Sequence, residues 1–159
     1  MSVYRRILVP IDGSPASNLG LNEAIKLAKD QGAKLRLFHL VDEYVAVPSI
    51  DGTALYAGDL FEALRQSGKK IIDKAQALAR RKGLTPESVM IESFGGRAAD
   101  FIVEQARKWR ADLIVLGTHG RRGVRRLVMG SDAEQVIRAT RVPVLLVRSK
   151  ATPATSRKP

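Results

Sequence analysis

The sequence predicts an α/β fold: a five-stranded parallel, doubly wound sheet with helices on both faces. Three observations lead to it. Five short apolar runs alternate with four stretches of helical periodicity along the 159 residues, and parallel strands need crossover connections of that kind. The helical stretches carry apolar residues at i, i+3, i+4 and i+7, the mark of one buried face. Right-handed crossovers with one reversal of strand order complete the doubly wound arrangement.

The first strand is expected at Arg6–Ile11. A helix follows from about Pro15 to Gln31. Ser14 suits its N-cap and Pro15 its first position; Leu21, Ala24, Ile25 and Ala28 form its apolar face, and Gly32 suits its end. The second strand is Lys34–Val41. Residues 42–58, with Pro48, Gly52 and Gly58, read as a long loop of a kind often tied to function. A helix is then expected from about Asp59 to Lys82, with Asp59 and Glu62 as a capping pair and Leu60, Leu64, Ile71, Ala75 and Leu78 as its stripe.

The third strand is Ser88–Phe94, and Gly95-Gly96 turns the chain into a helix from about Arg97 to Trp109. Ala98, Ile102, Ala106 and Trp109 should face inward. The fourth strand is Leu113–Leu116. Ser131-Asp-Ala-Glu134 reads as a capping box for a helix from Asp132 to Thr140. Its inner face is Ala133, Val136, Ile137 and Thr140. The last strand is Pro143–Arg148. The domain is expected over residues 1–148, and 149–159, rich in Pro, Ser, Thr, Ala and Lys/Arg, reads as a disordered basic tail. No internal repeat is evident.

Composition narrows the functional classes. A content of 45% hydrophobic and 27% charged residues is that of a soluble globular chain. No window approaches the roughly 18 apolar residues that span a bilayer, and the N-terminal apolar stretch is too short for a signal peptide; no membrane partner and a cytoplasmic location are expected. Without cysteine, disulfides, thiolate metal sites and cysteine nucleophiles are excluded. The net charge of +11 invites a nucleic-acid reading. The tail supplies three of those charges, and Arg121, Arg122, Arg125 and Arg126 four more, with the rest spread over helices. Aromatic residues are few, which gives no base-stacking platform. No specific nucleic acid is expected as a partner.

The chemistry concentrates between the fourth strand and the helix after it. Gly117, Gly120, Gly130 and Ser131 lie there. Glycines let backbone amides approach a phosphate, and a helix N-terminus offers orphan N–H groups and a positive dipole end. In a doubly wound sheet the ligand lies beyond the carboxyl ends of the strands at the switch point. If the first and fourth strands are neighbours there, Asp12 and the glycine loop share one crevice. Gly-x-Gly-x-x-Gly and the P-loop signature are both absent. A phospho-receiver would need more acids after the first strand and an aspartate where Gly95-Gly96 stands.

What remains is Gly-x-x-Gly, nine residues, then Gly-Ser. On this motif, on Ile7-Leu-Val-Pro-Ile-Asp-Gly-Ser14 and on Arg141-Val-Pro-Val-Leu-Leu-Val147, the chain resembles the universal stress protein family over residues 3 to about 148. The resemblance implies an adenine nucleotide alpha hydrolase-like fold and a site for ATP, or AMP or ADP, with Mg²⁺ or Mn²⁺. It implies that Asp12 lies near the ribose and phosphates and helps to hold a cation. It further implies that the Val41 backbone meets the adenine edge, that Gly117 and Gly120 line the ribose and phosphate path, and that Gly130 and Ser131 bind phosphate.

Alternatives stand beside these roles. Asp12 could equally cap the turn after the first strand, and Ser131 could be an N-cap only. Arg121 and Arg122, like Arg125 and Arg126, have even claims as a phosphate clamp and as a solvated loop. His119 has no partner for catalysis in the sequence and reads as a loop or packing residue; His39 reads as a core or crevice residue. No catalytic residue is assigned.

The expected function is a regulatory or signalling module that binds ATP with little or no hydrolysis and acts on a protein partner yet to be identified. A slow ATPase or a phosphoryl or nucleotidyl transferase is the alternative, and a ligand-free interaction protein is a second. The missing His-x-Gly-His signature counts against a transferase. The last strand, Val142–Val147, should be an apolar sheet edge. Pro143 suits an edge, and pairing across a two-fold axis would cover it. The resemblance implies the same homodimer.

Overall fold

The computed structural model describes residues 1–42, 54–118 and 131–148. Its elements in chain order are β1 (Arg6–Pro10), α1 (Pro15–Gln31), β2 (Lys34–Asp42), α2 (Ala54–Arg81), β3 (Glu87–Ser93), α3 (Ala98–Trp109), β4 (Leu113–Gly117), α4 (Ser131–Ala139) and β5 (Val144–Val147). The five strands form one sheet in the order β3-β2-β1-β4-β5, and every pairing is parallel. Strand order reverses between β1 and β4, which meets the condition under which the ends of these two strands face one crevice.

Strand periodicity divides the core in two. Ile7, Val9, Leu35, Leu37, Leu113 and Val115 pack with α1 and α2 on one face. Leu8, Phe38, Ile114 and Leu116 pack with α3 and α4 on the other. Adjacent residues of one strand thus serve opposite layers, as a sheet covered on both faces demands.

The local signals for α1 act as expected. Ser14 Oγ accepts from Ser17 N–H at 3.1 Å, and Gly32 closes the helix in the left-handed region at φ 63°. At the start of the switch-point strands, the Asp112 carboxylate accepts the amides of Arg5 and Arg6 at 2.8 and 2.9 Å. Asp112 N–H donates in turn to Arg6 O at 3.0 Å. This clamp holds β4 against β1, with Ile7 opposite Leu113.

Three local expectations need correction. Helix α2 begins at Ala54, so Asp59 is a helical residue rather than a cap, and Glu62 accepts from Gln66 at 2.7 Å. Its buried line is Gly68, Ile72, Ala75 and Ala79, while Leu60 is exposed. The small residues carry this face because the helix lies close to the sheet. A Cβ on Gly68 would stand 2.9 Å from His39 Cδ2 and 3.1 Å from Met90 Sδ. In α4, Ala133 and Val136 are buried but Ile137 is 40% exposed. The third correction is at Ser131, which is the first helical residue of α4. Glu134 pairs with Arg138 at 2.7 Å rather than closing a capping box.

Candidate functional site

The switch-point crevice begins with the turn that leaves β1. Ile11 N–H still donates to Phe38 O at 2.8 Å. The chain then bends through Gly13 at φ 79°, a conformation that a side chain would strain. Asp12 fixes the bend: one carboxylate oxygen accepts from Ser14 N–H at 2.8 Å, and Asp12 N–H donates to Ser17 Oγ at 3.1 Å. The cap role open to Asp12 in the sequence is thus realised. It uses Oδ1, and the side chain stays only partly buried. A Cβ on Gly13 would lie 3.1 Å from Ile71 Cγ1, so α2 packs directly on this turn.

Gly117 ends β4 on the other side of the boundary. A Cβ there would overlap the carbonyl group of Ala16 and lie 2.9 Å from Ser17 N. Gly20, one turn further along α1, is confined less severely, with its missing Cβ 3.0 Å from Gly117 N. The first turns of α1 therefore press on the end of β4 through two glycines. Asp12 and Gly117 converge on the same residue, Ser17, from opposite strands. The sequence marked Gly117 but not Gly20 or Ser17. An isolated glycine inside a helical pattern was the available signal for Gly20.

Beside this junction, β2 outruns β1. Its register with β1 ends at Pro10↔Phe38, whereas its register with β3 continues to Asp42↔Ser93. Val41 lies on this overhang and is buried. At the root of the overhang, His39 Nδ1 is 2.7 Å from Ile11 O. A carbonyl only accepts, so Nδ1 carries the proton. His39 is buried and ties the end of β1 to β2, in keeping with its reading as a core or crevice residue.

Beyond Gly117, Thr118 N–H donates to Val147 O at 3.0 Å, which links the loop entrance to β5. Helix α4 starts at Ser131 and packs on α3. Because the strands are parallel, the N-termini of α1 and α4 lie at the same end of the sheet, where positive dipole ends favour an anion. Asp12, Val41 and Gly117 are thus placed at the strand ends, with exposed Ser131 at a helix start on that end. Gly120, Gly130, His119, Arg121, Arg122, Arg125 and Arg126 lie outside the described residues.

Comparison with known proteins agrees with this architecture. The sequence model of the universal stress protein family matches residues 3–148. A universal stress protein of Methanocaldococcus jannaschii is 35% identical over 149 residues, covering 92% of this chain and 84% of that protein. A solved member of the family from Burkholderia pseudomallei is 32% identical with a TM-score of 0.74, covering 94% of this chain and 99% of its own. A solved universal stress protein in complex with cAMP is 25% identical with a TM-score of 0.68, covering 94% of this chain and 100% of its own.

Proposed function

The chain belongs to the universal stress protein family, and from that premise we propose that it binds an adenine nucleotide in the switch-point crevice. The carrying observation is the overhang of β2 beyond β1, next to an α1–β4 junction held at backbone contact by Gly20 and Gly117. Such a notch admits a flat base against strand backbone, and the neighbouring helix N-termini favour its phosphates. The cAMP complex of a solved relative supports the same ligand class.

In this reading the Val41 backbone meets the adenine edge, and Gly117 and Gly120 flank the ribose and phosphates. Gly130 and Ser131 offer the phosphates an amide and a hydroxyl. Asp12 holds the turn with Oδ1 and faces a phosphate-bound Mg²⁺ or Mn²⁺. The preferred ligand is ATP, with AMP and ADP in the same site. ATP acts as a regulatory ligand with little or no turnover, in a cytoplasmic homodimer paired through Val142–Val147. In support, β5 is a sheet edge and Leu145 is 36% exposed on it.

Calorimetric titration with ATP, ADP, AMP and GTP tests the proposal. Saturable binding of adenine nucleotides, weaker for GTP, is expected; no binding of any adenine nucleotide removes it. Sustained phosphate release that Asp12→Ala abolishes would replace the regulatory role with an ATPase.

A further inference from the structure

In an all-parallel sheet every helix-to-strand turn lies at one end and every strand-to-helix loop at the other. The crevice occupies the second end. The first end consists of the lead into β1 and the turns α1–β2, α2–β3, α3–β4 and α4–β5. Each of these five segments (1–6, 29–36, 80–87, 107–113 and 138–143) carries two more cationic than anionic side chains. Together they hold ten excess positive charges, against a net +11 for the chain. The charge that looks dispersed over helices in the sequence is gathered by the fold at the end opposite the crevice.

The few acids there are already engaged. The Asp112 carboxylate accepts the Arg5 and Arg6 amides, Glu87 pairs with Arg36, and Asp30 accepts from Gln31 Nε2 at 3.2 Å. Lys108 and Arg138 pair with Glu104 and Glu134 one turn back. Leaving those two cations out still gives an excess of eight. Arg5, Lys34, Arg80, Arg81, Arg107 and Arg110 are exposed and form no salt bridge among the described residues. Helix macrodipoles account for last-turn cations such as Arg80, Arg81 and Arg107. They do not account for Arg5 and Lys34 at strand starts or for Arg141 after α4.

We propose that this end of the sheet is a docking surface for the phosphate backbone of double-stranded nucleic acid, bound without regard to sequence. Five strands at a spacing of about 4.8 Å make the end about 19 Å across. A duplex presents roughly eleven phosphate charges over that length. Nine of the thirteen cations are arginine, whose guanidinium pairs with phosphate in bidentate fashion. Among the described residues of this end the aromatic side chains are withdrawn from solvent: Tyr4 is partly buried against the core and Trp109 is buried, with the Arg36 guanidinium 4.7 Å from its ring centroid. The four helix-to-strand turns expose no large apolar side chain, whereas Met1 and Val3 in the lead into β1 are exposed, so a vesicle arm belongs in the test.

Fluorescence anisotropy of the full chain with a labelled 25-base-pair duplex of arbitrary sequence tests this, read across a salt series. Binding should weaken linearly in log[salt], by about 0.9 for each phosphate neutralised. Arg80→Glu with Arg81→Glu should lower affinity at least about tenfold and flatten the slope by about two. Arg107→Glu should act in the same direction; each reversal removes a favourable last-turn charge, so melting temperatures should fall by a few degrees while nucleotide affinity stays at the wild-type value. The proposal is overturned if the chain binds no duplex at low salt. It is equally overturned if removing residues 149–159 or replacing Arg121 and Arg122 abolishes binding while the charge reversals leave it intact. Binding to phosphatidylglycerol vesicles but not to duplex at matched salt would also overturn it, in favour of a membrane surface.

Discussion

Gly117 at the end of β4 and Ala16 in the first turn of α1 meet backbone to backbone, with no room between them for a Cβ. The helix can approach the strand end this closely only while position 117 lacks a side chain. Gly117→Ala should therefore force α1 from β4 and cost about 3 kcal/mol, the upper part of the range for overpacking, since both partners are backbone. Gly95→Ala is the matched control. Gly95 has open space and no positive φ, so the change should stay within about 0.5 kcal/mol. Denaturant melts of the two variants check the contrast.

Asp12 combines a structural bond with a proposed ligand role, and two substitutions separate them. Asp12→Asn keeps an oxygen for Ser14 N–H but loses the charge. Its stability should remain within about 0.5 kcal/mol of wild type, while its affinity for ATP with Mg²⁺ falls about tenfold, or about 1.4 kcal/mol. Asp12→Ala should lose both, with about 1 kcal/mol of stability gone with the turn bond. Thermal melts paired with calorimetry distinguish the cases.

Glu87 ties β3 to β2 through Arg36, which also lies over Trp109. The hydrogen bond from Arg36 is the main cause of a Glu87 pKa below the ordinary carboxylate value. A depressed folded-state pKa gives stability that is present above the unfolded pKa and lost as pH falls through the folded one. Both side chains are partly solvated, so Glu87→Gln should cost no more than about 1 kcal/mol at pH 7. The gap between the two proteins should close as acid takes the pH below about 4.3. Denaturation midpoints at pH 7, 5 and 3 measure it.

The exposed edge of β5 should mediate self-association. Leu145→Lys places a charge on that edge, a known means of blocking strand pairing. Wild type should sediment as a dimer at micromolar concentration and the variant as the 17.4 kDa monomer. A monomeric wild type would contradict the pairing.

Much of this was legible in the sequence. The helix α1 was fixed to the residue by Ser14, Pro15 and Gly32 because its caps and its stripe agree. The parallel, doubly wound class followed from alternation and handedness, whereas the adjacency of β1 and β4 stood only as a condition until the sheet order was seen. The start of α2 was missed because Asp59 and Glu62 imitate a cap within a continuing helix. Ala75 of its expected stripe is buried and Ile71 and Leu78 pack against the core, but Gly68 and Ala79 were missed because they bury by being small, which a search for large apolar residues undervalues. Asp12 and Gly117 were found by motif. Ser17 and Gly20, on which they converge, belong to α1 and become neighbours of β4 only across the fold. The polarity of charge was invisible for the same reason: each turn holds a modest excess, and only parallel strands collect all five at one end.

Amide chemical-shift mapping of the ¹⁵N-labelled protein during an ATP titration tests whether adenine nucleotide occupies the switch-point crevice. Saturable shifts are expected at residues 12–14, 40–42, 117–118 and 131–133, with the amides of Arg81, Arg107 and Arg110 unmoved. Shifts confined to the basic strand-start end, or none at millimolar ATP, would contradict that occupancy.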